Sequence, residues 1–154
     1  MHEELLRRAL ELALRSVATG GGPFGAVVAR AGQVVAEGTN QVVTAGDPTA
    51  HAEIVALRAA AAALGSHDLS GCELYASAEP CPMCAGAVHW SRIHRVFFSA
   101  SREDAARAGF DDALLFRELA LPPAQRVVPA RRALPDEGLV PFEAWRAKAD
   151  RVSY

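Results

Sequence analysis

The sequence predicts an α/β sandwich, a central sheet covered by helices on its faces. Three observations lead there. Apolar residues recur at three- and four-residue steps in some segments and run continuously through short stretches in others. The two kinds of segment alternate along the chain, and no repeat or low-complexity linker separates them. With 154 residues, 51% of them hydrophobic, the chain is long enough to enclose one sizeable core, so a single domain over residues 1–154 is expected.

Leu5, Leu6, Ala9, Leu10, Ala13, Leu14 and Val17 mark an amphipathic first helix that stops at Gly20-Gly21-Gly22-Pro23. Those glycines read as a helix end and a loop, because a phosphate loop needs a preceding strand, a following helix and a Lys-Ser/Thr pair. Residues 24–29 and 34–37 form a hairpin of two strands turning at Arg30, Ala31 and Gly32. Asp47, Pro48 and Thr49 punctuate the chain before an alanine-rich second helix over residues 50–64, which Asp47 or Thr49 is placed to cap. A short strand follows at 73–77. Pro80 breaks it, and Pro82 suits the first turn of a third helix ending near Trp90. Residues 95–100 read as a buried strand, with helical patches at 102–108 and 112–119. The proline-punctuated stretch after Leu121 places Arg126, Arg131 and Arg132 on a solvated surface. The tail, residues 141–152, regains helix character, with Phe142 and Trp145 one step apart.

The 16 Lys+Arg against 18 Asp+Glu give a formal net charge of -2, too little positive field to recruit a polyanion, so a small molecule is expected rather than nucleic acid. The mixed-charge first helix is unlike a signal peptide or a membrane span, and a cytoplasmic location without membrane association is expected. Three cysteines cannot all pair with one another, which suits a reducing compartment.

Cys81 and Cys84 stand at i and i+3 across a helix start, so both sulfurs can face one point, and the helix N-terminus favours their thiolates. Alone, such a pair fits a redox motif or half of a structural zinc knuckle equally well. His51 supplies a third donor at another helix start, and three protein ligands leave the fourth tetrahedral position that catalytic zinc keeps for water. Glu53 lies two residues beyond His51. On an ideal helix the two side chains would point about 200° apart, so they meet at one site only if the helix is just beginning there. Glu53 is thereby the candidate proton carrier. Cys72, at the start of a strand, reads as a small buried hydrophobe.

His51-Ala52-Glu53 followed by Pro80-Cys81-Pro82-Met83-Cys84 matches the H-x-E and P-C-x-x-C signature of zinc nucleobase deaminases. The chain resembles the cytidine and deoxycytidylate deaminase superfamily, and within it the small guanine deaminases. The resemblance extends through residues 21–27, 47–53, 109–112 and 141–145 to Tyr154. It implies a three-layer α/β/α sandwich around a five-stranded mixed sheet, a zinc cofactor, and hydrolytic deamination of a free nucleobase, guanine giving xanthine and ammonia. It also implies a substrate site built from Phe24, Asn40, Ala52, Trp90 and Asp112, with Asp111 as the other choice of carboxylate. By the same resemblance the protein is a homodimer in which residues 141–154 cross to the partner subunit and bring Tyr154 over its site. Asn40 reads equally as a turn residue, Asp112 as a helix cap, Phe24 and Trp90 as core, and the tail as docking on its own chain. Other readings stay open: a tRNA adenosine deaminase, a deaminase of cytosine or guanosine, and a non-catalytic zinc module closed by a fourth ligand such as His67, His89 or His94.

Overall fold

A computed structural model describes every residue, Met1–Tyr154, in two compact units: Met1–Asp112 and Ala113–Tyr154. In the first unit the elements run α1 (His2–Ala18), β1 (Gly25–Arg30), β2 (Gln33–Thr39), α2 (Val42–Ala45), α3 (Ala52–Leu64), β3 (Cys72–Ala78), α4 (Pro82–Trp90), β4 (Arg95–Ala100) and α5 (Arg102–Arg107). The strands form one mixed sheet ordered β2-β1-β3-β4. β1 is antiparallel to both β2 and β3, and β4 runs parallel to β3. The hairpin turn sits where Ala31 and Gly32 adopt positive φ, the geometry a two-residue connection between twisted strands requires.

Alternation along β1 divides the core between the two faces of the sheet. Val27 and Ala29, with Tyr75, pack against Leu5, Ala9 and Leu12 of α1. Ala26 and Val28, with Leu74, pack against Ala52, Ala56, Leu57 and Ala60 of α3. Two glycines let the helices lie directly on the strands. A Cβ on Gly25 would overlap the Ala9 carbonyl, and one on Gly38 would overlap the Ala52 carbonyl and stand 2.6 Å from the Ala56 nitrogen. Gly38→Ala is therefore expected to cost about 3 kcal/mol of stability, the upper range for overpacking against rigid backbone, read as a lower urea midpoint at unchanged slope. A midpoint equal to that of the unsubstituted chain would refute this account of the packing. Arg8 of α1 adds a two-pronged ion pair to Glu37 of β2, its Nε 2.6 Å from Oε1. The guanidinium holds the Glu37 carboxyl below the usual range.

The sheet has four strands rather than five. The stretch between Leu121 and Leu139 carries Pro122, Pro123, Pro129 and Pro135, each lacking the N–H that a sheet ladder needs. It forms only single 3-10 turns, at Pro123–Gln125 and Glu137–Leu139. A second difference lies at α3, which starts at Ala52, not at residue 50. Asp47 does not cap it. Its Oδ1 instead accepts the Thr49 backbone N–H (2.8 Å) and hydroxyl (2.7 Å), closing a local turn upstream.

The second unit contains α6 (Ala113–Ala120), the two 3-10 turns and α7 (Val140–Ala147). None of its residues is buried, and Leu114, Leu119, Val128, Phe142 and Trp145 are exposed. No helix is long and apolar enough to cross a membrane.

Candidate active site

The candidate donors are set by two helix starts. His51 is the N-cap of α3 and Cys81 the N-cap of α4, both with extended backbone angles (φ -64, ψ 153 and φ -66, ψ 170). Neither side chain caps its helix. At positions where Ser, Thr, Asp or Asn would ordinarily bond the free N–H groups, these two residues turn toward each other instead. Cys84 follows in the first turn of α4, fully buried.

The Sγ atoms of Cys81 and Cys84 both lie 3.5 Å from His51 Nδ1, and all three donor atoms fall within 4.8 Å of one another. Zinc bonds of about 2.3 Å to sulfur and 2.0–2.1 Å to nitrogen, at tetrahedral angles, place S and N roughly 3.6 Å apart. The observed separations fit that ion. With three donors in the cluster, one tetrahedral position is left over.

Without metal the donors share protons unequally, with Cys81 the one shifted toward its ligating, deprotonated form. Cys84 hydrogen-bonds to Cys81, which pulls the Cys81 thiol down to about 4 and raises that of Cys84. The same sulfur raises the His51 imidazole through its hydrogen bond. Glu53 sits in the first turn of α3 and is 7% exposed. Burial raises its carboxyl above the ordinary range. His51 and Glu53 face one site because His51 stands outside helical geometry, which removes the opposition an ideal helix would impose.

Residues 1–100 match the family model described as the cytidine and deoxycytidylate deaminase zinc-binding region. The chain belongs to the cytidine and deoxycytidylate deaminase family. It is a hydrolytic nucleobase deaminase with a zinc cofactor, and His51, Cys81 and Cys84 form a group that could hold the ion. It is 48% identical to the guanine deaminase of Bacillus subtilis over 154 residues, 99% of each chain. The X-ray structure of that guanine deaminase superposes with a TM-score of 0.97, covering 100% of this chain and 99% of that one. A solved protein in complex with 2,6-diaminopurine is 44% identical, with a TM-score of 0.71 over 73% of this deaminase and 63% of that chain. The tRNA-specific adenosine deaminase of Haemophilus influenzae is 45% identical over 116 residues, 71% of this chain and 67% of its own length.

The remaining expected site residues of this deaminase fall into two groups. Asn40 is buried just after β2; its backbone N–H donates to the Phe24 carbonyl (3.1 Å), and its own carbonyl accepts from Ser16 Oγ (3.3 Å). The glycine-rich loop closes on it, since a Cβ on Gly21 would lie 2.5 Å from the Asn40 carbonyl oxygen and one on Gly22 3.3 Å from its side chain. That is the work those glycines do. Phe24 meets Phe110 edge to face at 5.0 Å, and Ala52 is the buried first residue of α3. Asp112 pairs with Arg102, Nε to Oδ1 3.3 Å. Trp90, at the end of α4, is 65% exposed, which removes the core reading. Tyr154 belongs to the second unit and is exposed. Sequence reasoning passed over Arg102 and Glu79. A charge of each sign separated by 23 residues carries no local pattern, and only the parallel pairing of β3 with β4 makes them neighbours.

Proposed function

We propose that this deaminase converts guanine and water to xanthine and ammonia. The observation that supports this best is a three-donor zinc cluster beside a buried Glu53, in a chain nearly half identical, end to end, to a guanine deaminase. In the overall exchange the C2–N bond of guanine breaks, a C2–O bond forms, and the amino group leaves as ammonia. His51, Cys81 and Cys84 would hold the zinc, which would supply a Lewis acid able to make water acidic near neutral pH. Glu53 takes a proton from that water, gives it to a ring nitrogen and assists protonation of the departing amine. Its burial suits the task by raising its hold on a proton.

The other residues bind and orient the base. Asn40 Oδ1 already accepts the Val42 N–H (3.3 Å), which leaves the side-chain NH2 to donate to the purine edge. Asp112 accepts N–H groups of the base, Ala52 presents a helix N-terminal N–H, and Phe24 and Trp90 flank the ring. The exposed apolar residues of the second unit are covered by a second copy of the chain. Residues 141–154 cross to it and place Tyr154 over its site. Free Cys72, Cys81 and Cys84 suit a cytoplasmic location.

The test is to incubate the zinc-loaded protein with guanine, guanosine, adenine, cytosine, cytidine or tRNA and identify each product. Xanthine with an equal amount of ammonia is expected from guanine. Inosine formed in tRNA, with guanine untouched, would overturn the assignment. In the same assay a chain ending at Val152 should lose affinity for guanine and keep its zinc, and unchanged kinetics would reject the crossing tail.

A further inference from the structure

Between the metal loop and the segment carrying Asp112 stands one residue that touches both. Arg102 is the first residue of α5, fixed there by a capping box in which Ser101 Oγ accepts the Asp104 N–H and Asp104 accepts the Ser101 N–H. The Arg102 backbone N–H donates to Glu79 Oε2 (3.3 Å), two residues before Cys81. Glu79 is itself tied to the end of β4, its N–H donating to the Ala100 carbonyl at 2.9 Å. From the same residue the guanidinium Nε reaches Asp112 Oδ1 at 3.3 Å. This ion pair is partly sheltered, its side chains 31% and 19% exposed. The Asp112 segment has a second anchor in Phe110, which packs on Phe24, so the chain from Gly109 to Asp112 is held at two points.

We infer that Arg102 is a positioning residue for base recognition: it holds the Asp112 carboxylate toward the site and sets its place relative to the loop that carries Cys81 and Cys84. The inference rests on the reading of Asp112 as a base contact. A carboxylate accepts base N–H groups well only if it is aimed at them. A guanidinium on one oxygen restrains the carboxylate's orientation, leaving the second oxygen to the base. An unpaired Asp112 would turn between rotamers, and the bound base would have to meet the cost of ordering it.

The predicted signature is a change in KM rather than in kcat, because the contact forms with bound guanine as well as with the transition state. Arg102→Gln is expected to raise KM for guanine about tenfold with kcat within about threefold, the loss of one charge-assisted hydrogen bond. Arg102→Lys keeps the charge without the planar donor and should recover part of the loss, and it also serves if the glutamine variant folds poorly. Asp112→Asn measured beside them, and combined with Arg102→Gln, completes a double-mutant cycle with zinc content as a parallel readout. If Arg102 acts through Asp112, the double variant has the KM of Asp112→Asn to within about twofold. Additive effects, or a loss of zinc or kcat at constant KM in Arg102→Gln, would overturn the inference. So would an unchanged KM in Arg102→Gln where Asp112→Asn is impaired, which leaves the base contact standing. If Asp112→Asn is itself unimpaired, the reading of the base contact has failed, and this inference with it.

Discussion

Glu53→Gln is expected to lower kcat for guanine by about 10² to 10⁴ while leaving zinc content unchanged, the span associated with loss of a positioned proton carrier. The reason is local. Glu53 lies in the first turn of α3 and is almost fully buried, yet it is not one of the three clustered donors. Glutamine keeps its length and shape and removes the exchangeable proton. The donors stay where the two N-caps put them, since the extended backbone at His51 and Cys81 does not depend on the residue at 53. Burial makes the carboxylate costly to ionise, so thermal stability should not fall in the variant. The measurement is single-turnover xanthine formation alongside zinc stoichiometry. A kcat within about threefold of the unsubstituted chain would remove Glu53 from the chemistry.

What the sequence disclosed and what it hid divide along the range of the interactions. The span 95–100 of β4 and the start of α4 at Pro82 were legible, but the burial expected of β4 was not met: none of its residues is buried, and Phe98 is exposed. An apolar run bounded by breakers and a first-turn proline are both signals that neighbouring residues carry alone. The pairing of the two sulfurs was legible for the same reason, since i, i+3 spacing at a helix start brings them together with no tertiary information, whereas His51, 30 residues before Cys81, was picked out only by the motif. The strand order was hidden, because pairing β1 between β2 and β3, with β4 parallel to β3, is decided by which faces α1 and α3 cover. The fifth strand came from likeness to a family and not from these residues, where four prolines between 121 and 139 argue against it. The start of α3 was misplaced because Asp47 has two local uses, a cap and a turn, and only the fold selects the turn. Asn40 was visible as a polar residue after a strand. The reason it is held so firmly, two glycines and Ser16 closing on its backbone, depends on a contact with α1 that spans 24 residues.

The second large effect is expected at Cys84, where metal and packing must be separated. Cys84→Ala should abolish zinc retention and turnover together, but Cys84 is fully buried, so alanine also leaves unfilled space. Cys84→Ser is the cleaner variant, because it nearly preserves volume and exchanges a thiolate donor for a hydroxyl that is a poor one. With two donors left, Cys81 and His51, the site loses the geometry that places each sulfur 3.5 Å from Nδ1. The consequence extends to folding. A ligand present at 100 to 1,000 times its dissociation constant stabilises the native state by about 2.7–4.1 kcal/mol, so a chelator should lower the melting temperature of the unsubstituted protein by that linkage. It should leave Cys84→Ser nearly unmoved, because that variant holds no zinc to lose. Cys72→Ser provides the contrast: Cys72 is equally buried, but on β3 and outside the donor cluster, so the variant should lose stability yet keep zinc and the response to chelator. If Cys84→Ser and Cys72→Ser behaved alike in zinc content and in chelator response, the two buried thiols would be doing the same job, and the metal assignment at α4 would fail.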